Sequence, residues 1–243
     1  MHITDPDFQL GAQLTLAEDE VHLWRIDLSA LSPAEERWQK ILSPDERARA
    51  ARFHFDRDRR HYTATRALLR TLLASYVASE PAELIFRYSD REKPSLGPPH
   101  SQPAVEFNVS HSGTAALLAF ARGRALGVDI EMIREGFDPV ALAQRFFSTH
   151  EQSQLAALDP SDKFPGFFRC WTRKEAYIKA VGTGLSLPLD QFDVSVRPKD
   201  ENALRATRPD ASEASLWSLR DVPAGDGYVG ALCVRGQGWR LKS

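Results

Sequence analysis

The chain has little cysteine, no long apolar run and no glycine-rich nucleotide loop, and each scarcity removes a class of function. Of 243 residues only Cys170 and Cys233 are cysteines, too few for a disulfide framework or a structural zinc cluster, and suited to a reducing compartment. No stretch approaches the ~18 apolar residues that span a bilayer, and Met1 to Leu10 carries Asp5 and Asp7 with no apolar core of a secretory signal. A cytoplasmic location without membrane contact is expected. Thirty-one basic residues face 33 acidic ones for a net charge of −2, which excludes generic nucleic-acid binding. No GxGxxG follows a strand, and there is no P-loop and no GxSxG elbow. His54 and His61 are too isolated for a zinc site.

What remains is an ordinary globular composition, 42% hydrophobic and 26% charged, long enough for one large domain or two small ones. Strand-like alternation covers 21–28, 84–88, 105–109, 115–120, 126–131, 192–196, 216–219 and 228–234. Helix signatures open at Ser32-Pro33-Glu35, at Ser43-Pro44-Asp45-Glu46 (running to about Phe53), at Asp138-Pro139 and at Ser148-Thr149-His150-Glu151. Longer helices are expected over 59–77, with Leu68, Leu69, Leu72, Leu73 and Tyr76 as the apolar stripe, and over 164–181, stopped by Gly182. Residues 90–102 read as a loop around Lys93-Pro94 and Gly97-Pro98-Pro99, and 197–215 as an exposed polar excursion. Each half thus carries helices and strands, an α/β (α+β) layout. Arg52-Phe53 and Arg145-Phe146 hint at a duplicated unit.

The chemistry concentrates in two runs. In Gly127-Val128-Asp129-Ile130-Glu131 the carboxylates of Asp129 and Glu131 share one strand face while Val128 and Ile130 point into the core. In Trp171 to Ala180, Glu175 and Lys179 share a helix face. Glu175 falls within the arc of Phe164, Phe167, Phe168, Trp171 and Ile178, with Lys174 and Lys179 at the edges, so the reading expects a carboxylate on the buried stripe. The alternatives are a surface Glu–Lys pair and a solvated strand face. Three gathered carboxylates would repel unless a hard cation such as Mg²⁺ sat among them. Ser110 and His111 face opposite ways at a strand end, so they cannot form a nucleophile–base pair and better suit a phosphate contact or a plain strand end. Between Ser43 and Arg70 eight arginines meet four acids, a local excess of +4 suited to a polyanionic small molecule or to internal ion pairs. Glu151 is either a base or the N3 member of a capping box.

Read in order, Phe107-Asn108-Val109-Ser110-His111-Ser112, Gly127 to Glu131, Arg145-Phe146-Phe147-Ser148, Trp171 to Lys179 and Gly182-Thr183-Gly184-Leu185-Ser186 resemble the Sfp-type 4′-phosphopantetheinyl transferases from about Ser43 to Phe192. The resemblance implies two similar α/β halves, 1–123 and 124–243, related by a pseudo-twofold axis with a ligand cleft between them. It implies Mg²⁺-dependent transfer of the phosphopantetheine arm of coenzyme A to a serine of an acyl or peptidyl carrier protein, with release of adenosine 3′,5′-bisphosphate. By position, Asp129, Glu131 and Glu175 match the magnesium carboxylates. Lys174 and Lys179 match lysines near the pyrophosphate, and Ser110 and His111 match residues holding the phosphates of coenzyme A. Lys93 and Pro94 match a loop lining the nucleotide, although Glu92 stands where a glycine often precedes Lys-Pro. Arg49, Arg47 and Arg66 match basic positions near the 3′-phosphate. Glu175 is the first choice of general base and Glu151 the second; a monomer is expected. Fatty-acid, polyketide, nonribosomal-peptide and lysine-biosynthetic carriers all stay open. A different Mg²⁺-dependent phosphoryl or nucleotidyl transferase, or a non-catalytic coenzyme A sensor, are the competing readings.

Overall fold

In the computed structural model residues 1–4, 13–31, 35–91, 93–101, 105–200 and 202–243 are described. In chain order the elements are β1 (His2–Ile3), β2 (Glu20–Asp27), α1 (Glu35–Ile41), α2 (Pro44–Ala50), α3 (Asp56–Val77), β3 (Phe86–Tyr88), β4 (Pro94–Leu96), β5 (Val105–Ser112), β6 (Ala115–Arg122), β7 (Leu126–Met132), α4 (Pro139–Phe146), α5 (Thr149–Ala156), α6 (Lys163–Val181), β8 (Phe192–Val194), β9 (Leu204–Thr207), β10 (Trp217–Val222), β11 (Tyr228–Arg235) and β12 (Arg240–Lys242). The expected capping box at Ser32-Pro33 lies outside the described residues. Among those described, no helix is long and apolar enough to cross a membrane.

Two sheets stack between two long helices. The first runs β1-β2-β6-β5, with β12 also on β2; the second runs β10-β11-β7. Pairing is antiparallel except where β1 and β12 join β2, so the class is α+β. Strand alternation distributes the apolar residues among three cores. Trp24, Ile26, Leu118 and Phe120 pack with Leu69, Leu72 and Leu73 of α3. Val21, Leu23, Leu117 and Ala119 turn the other way and meet Val128, Ile130, Leu232 and Val234 between the sheets. Phe167, Phe168, Tyr177 and Ile178 of α6 pack with Leu219, Ala231 and Cys233.

A buried charge device occurs twice. At the start of α2 the Glu46 carboxylate accepts from the Ser43 backbone N–H at 2.9 Å and pairs with Arg70 of α3 at 2.6 Å. Arg70 then donates to the carbonyls of Pro81 and Leu84. At the start of α5 Glu151 accepts from the Ser148 N–H at 2.9 Å and pairs with Lys174 of α6 at 2.7 Å. Lys174 donates to the carbonyls of Leu189 and Phe192. Arg52-Phe53 follows α2, whereas Arg145-Phe146 ends α4, so those dipeptides are not equivalent in position.

Two loop expectations are corrected. Pro94 starts β4, which pairs with β3 as a hairpin; proline is tolerated at the first position of an edge strand because no ladder N–H is needed there. The 197–215 excursion contains β9, which pairs with β8, and both Leu204 of β9 and Ala203 just before it are buried. The Glu151–Lys174 pair yields a prediction. Both side chains are 0% exposed, so Glu151→Ala strands an ammonium in the core and costs about 3–5 kcal/mol. Urea denaturation should show that loss, with much of it recovered in Glu151→Leu/Lys174→Met.

Candidate active site in the cleft

The site begins with a close approach between strand and helix. Gly127 faces α6, where a Cβ would sit 2.3 Å from both the Ala176 carbonyl oxygen and the Ala180 nitrogen. Only a residue without a side chain lets the helix lie this near β7. The next residues on the same strand face are Asp129 and Glu131, so both reach the flank of α6. On α6 almost every side is buried, and Trp171, Glu175 and Lys179, spaced by four, form the half-exposed stripe beside the cleft. The expected burial of Glu175 among the phenylalanines is thereby corrected, since the second sheet and α4–α5 cover the other faces of the helix.

From the other side β5 supplies Asn108, Ser110 and Ser112 on one face. Asn108 Oδ1 accepts from the Val128 N–H at 2.9 Å. Ser110 Oγ donates to Asp129 at 2.7 Å, and Ser112 Oγ to Glu131 at 2.8 Å. These bonds join the two sheets, the first side chain to backbone and the other two side chain to side chain. Lys179 Nζ completes the knot at 2.6 Å from Asp129 Oδ1 and 3.1 Å from Ser110 Oγ. Asn108 and Ser112 were missed in the sequence, although the alternation Asn108-x-Ser110-x-Ser112 was a legible signal.

A cleft of about 1420 Å³ is lined by Ser110, His111, Asp129, Glu131, Glu175 and Lys179, and continues past Phe146, Trp171 and Arg208. A second pocket of about 250 Å³, lined by Arg49, Tyr62, Arg66, Tyr88, Pro94 and Asn108, shares Val109, Ser110 and His111 with it. The two cavities therefore meet across the end of β5. Arg66 also pairs with Glu46 and donates to the Tyr88 hydroxyl at 2.5 Å.

Four expected site residues are placed elsewhere. Lys174 and Glu151 are spent on each other beneath the surface, because three acceptors satisfy the ammonium and the capping box together with the Val194 N–H satisfies the carboxylate. Arg47 donates to the carbonyls of Gln39 and Leu42 and lines neither cavity. Lys93 turns its ammonium to the end of α6, 2.7 Å from the Lys179 carbonyl, while its neighbour Pro94 does line the smaller pocket.

Burial raises the carboxyl pKa of Asp129, opposed by Lys179 and Ser110. Burial also raises that of Glu131, opposed by Ser112 and reinforced by Asp129. For Glu175 burial again leads, Lys179 opposes, and Asp129 and Glu131 add repulsion. Asp129 Oδ2 is buried without a hydrogen-bond partner. Among the described residues no three His, Cys, Asp or Glu side chains converge as a finished ligand set. Mg²⁺ does not require such a set, since it takes one or two carboxylates and completes its shell with water and phosphate oxygens. An orphaned carboxylate oxygen beside a second carboxylate fits that demand.

The chain's relatives agree along its length. Residues 125–233 match the model of the 4′-phosphopantetheinyl transferase superfamily, and residues 29–122 match that of the 4′-phosphopantetheinyl transferase N-terminal region. The chain is 40% identical to the 4′-phosphopantetheinyl transferase HetI of Nostoc over 94% of its own length and 93% of the relative's. The chain belongs to the 4′-phosphopantetheinyl transferases. It is also 34% identical to a 4′-phosphopantetheinyl transferase of Bacillus subtilis, covering 82% and 85% of the two chains. Against the transferase Sfp of Bacillus subtilis strain 168 the identity is 31%, covering 82% and 84%. The transferase is of this Sfp type.

A carboxyl pKa raised by folding means a stability term that is whole below the unfolded value and is lost as pH rises through the folded one. In metal-free buffer with chelator, Glu175→Gln should therefore raise the thermal midpoint of the transferase at pH 7. The gain should vanish below the ordinary glutamate value of 4.5, which melts at pH 7 and pH 4 would compare.

Proposed function

We propose that this transferase moves the phosphopantetheine arm of coenzyme A to a serine of an acyl or peptidyl carrier protein, with Mg²⁺ present, releasing adenosine 3′,5′-bisphosphate. The observation that carries the reading is the meeting of Ser110, Asp129 and Lys179 at the point where the arginine-bearing pocket opens into the larger cleft. A polyanion can lie with its nucleotide end near Arg49 and Arg66 and its pyrophosphate near Ser110, His111 and Lys179. We also propose that the chain divides near residue 123 into two halves related by a pseudo-twofold axis. The paired capping-box devices and the two matched ranges support that division.

Asp129 and Glu131, with Glu175 at the edge, are the residues that would hold Mg²⁺. When bound, it neutralises pyrophosphate charge and orients the reacting phosphorus. Lys179 stabilises the negative charge that grows on the departing phosphate. The carrier serine Oγ forms the new P–O bond, the P–O bond to the bisphosphate breaks, and the serine proton passes to Glu175 directly or through water. Burial and two neighbouring carboxylates raise the affinity of Glu175 for that proton, which suits a general base. Glu151, with no route to solvent, is not retained in that role.

Purified protein incubated with coenzyme A, Mg²⁺ and an apo carrier protein should add one phosphopantetheine to the carrier by mass spectrometry, and EDTA should abolish the gain. Glu175→Ala and Asp129→Ala should each lower turnover roughly 10²-fold or more. Coenzyme A binding with no carrier modified across several unrelated carriers would favour the sensor reading instead.

A further inference from the structure

The hairpin of β3 and β4 touches both ends of the proposed reaction. Its strands carry Tyr88 and Pro94, which line the smaller pocket beside Arg49 and Arg66. Its tip is held closed by the Ser89 N–H, which donates to the Lys93 carbonyl at 3.0 Å, and by the Ser89 hydroxyl, which accepts from the backbone N–H of Lys93 at 3.2 Å. From this braced tip Lys93 reaches across to the other half. Its ammonium lies 2.7 Å from the Lys179 carbonyl, 3.3 Å from the Ala180 carbonyl and 3.2 Å from the Leu126 carbonyl. Arg91 adds a bond to the Thr183 carbonyl at 2.6 Å.

These acceptors are specific in kind. The carbonyls of Lys179 and Ala180 belong to the last turn of α6, where the helix offers no partner of its own and its dipole is negative. Leu126 opens β7 one residue before Gly127, the point of closest strand–helix approach. One cation therefore fixes the last turn of α6 against the first residue of β7. That turn carries Lys179, whose side chain meets Asp129.

We propose that Lys93 is a positioning residue, through which the β3–β4 hairpin couples occupation of the nucleotide-side pocket to the setting of Lys179 and Glu175. The inference rests on the coenzyme A reading of that pocket and assigns Lys93 to the helix instead of the ligand. A shift of Tyr88 or Pro94 on binding passes through a short, hydrogen-bonded tip to the helix end. Small displacements of reacting groups there are costly to rate, since misplacement by about 1 Å can lose 10²-fold.

The test uses the full chain in two readouts. In steady-state transfer, Lys93→Met should lower kcat about tenfold or more while the directly measured coenzyme A affinity changes less than about threefold; Lys93→Arg, which keeps a cation with several donors, should recover much of the loss. In hydrogen exchange, coenzyme A should protect the amides of 178–184 in the wild-type protein, and this protection should be lost in Lys93→Met. Affinity lost with kcat unchanged would make Lys93 a ligand contact and overturn the proposal, as would equal protection in both proteins or none in the wild type. Wild-type protection without any transfer would overturn the transfer reading and leave the coupling standing. Should Lys93→Met fail to fold, Arg91→Met removes only the outer bond and should give a smaller loss in the same direction.

Discussion

Everything in the cleft depends on how close α6 lies to β7, and a single missing side chain sets that distance. With any Cβ at Gly127 the helix backbone would have to retreat, because the clash is with main-chain atoms of residues 176 and 180 and no rotamer can relieve it. Asp129 stands one pleat further along the strand and Lys179 on the helix turn that Gly127 abuts. The 2.6 Å contact between them is thus a consequence of backbone proximity. The same closeness dehydrates the carboxylates, which raises their pKa values and gives the cluster its appetite for positive charge.

Holding a helix in such a place needs fixed neighbours, and the protein uses buried ions to provide them. Lys174 sits one residue before Glu175, about 100° round the helix, and points inward to Glu151 and two carbonyls. A fully satisfied buried pair adds little to net stability, yet it tolerates only one arrangement of its partners. The rotation of α6 about its axis is therefore specified on the hidden face, and the exposed stripe inherits that setting. Arg70 and Glu46 do the same for α3 beneath Arg66.

The sequence made much of this legible, and the misses have a common cause. Period-2 and period-3.6 patterns located nearly every long strand and helix because burial on one face leaves a regular trace, as in Val21 to Leu28 and Leu68 to Tyr76. The Asp129 and Glu131 face followed from the pleat alone. Glu175 was expected to be buried because its arc carries aromatic residues, but α6 is covered on most of its circumference and the part of that arc around Glu175 is the stripe left half-exposed at the cleft. Lys174 was expected near the pyrophosphate and Glu151 as a second choice of base or a capping residue, because one chain cannot reveal that two distant charges pair inside the core. β4 and β9 are three and four residues long and exist through pairing, a tertiary fact with no local signature.

The strand β12 comes last among the elements, yet it pairs with Glu20 to His22 of β2, one of the first. The two ends of the chain are consequently joined by hydrogen bonding as well as by packing. A fragment ending after β6 would leave that row of β2 backbone donors and acceptors bare, next to an apolar face deprived of β7 and β11. Such an edge is a template for strand addition between molecules. The fold thus carries a penalty against being divided: its separated parts would be prone to aggregate.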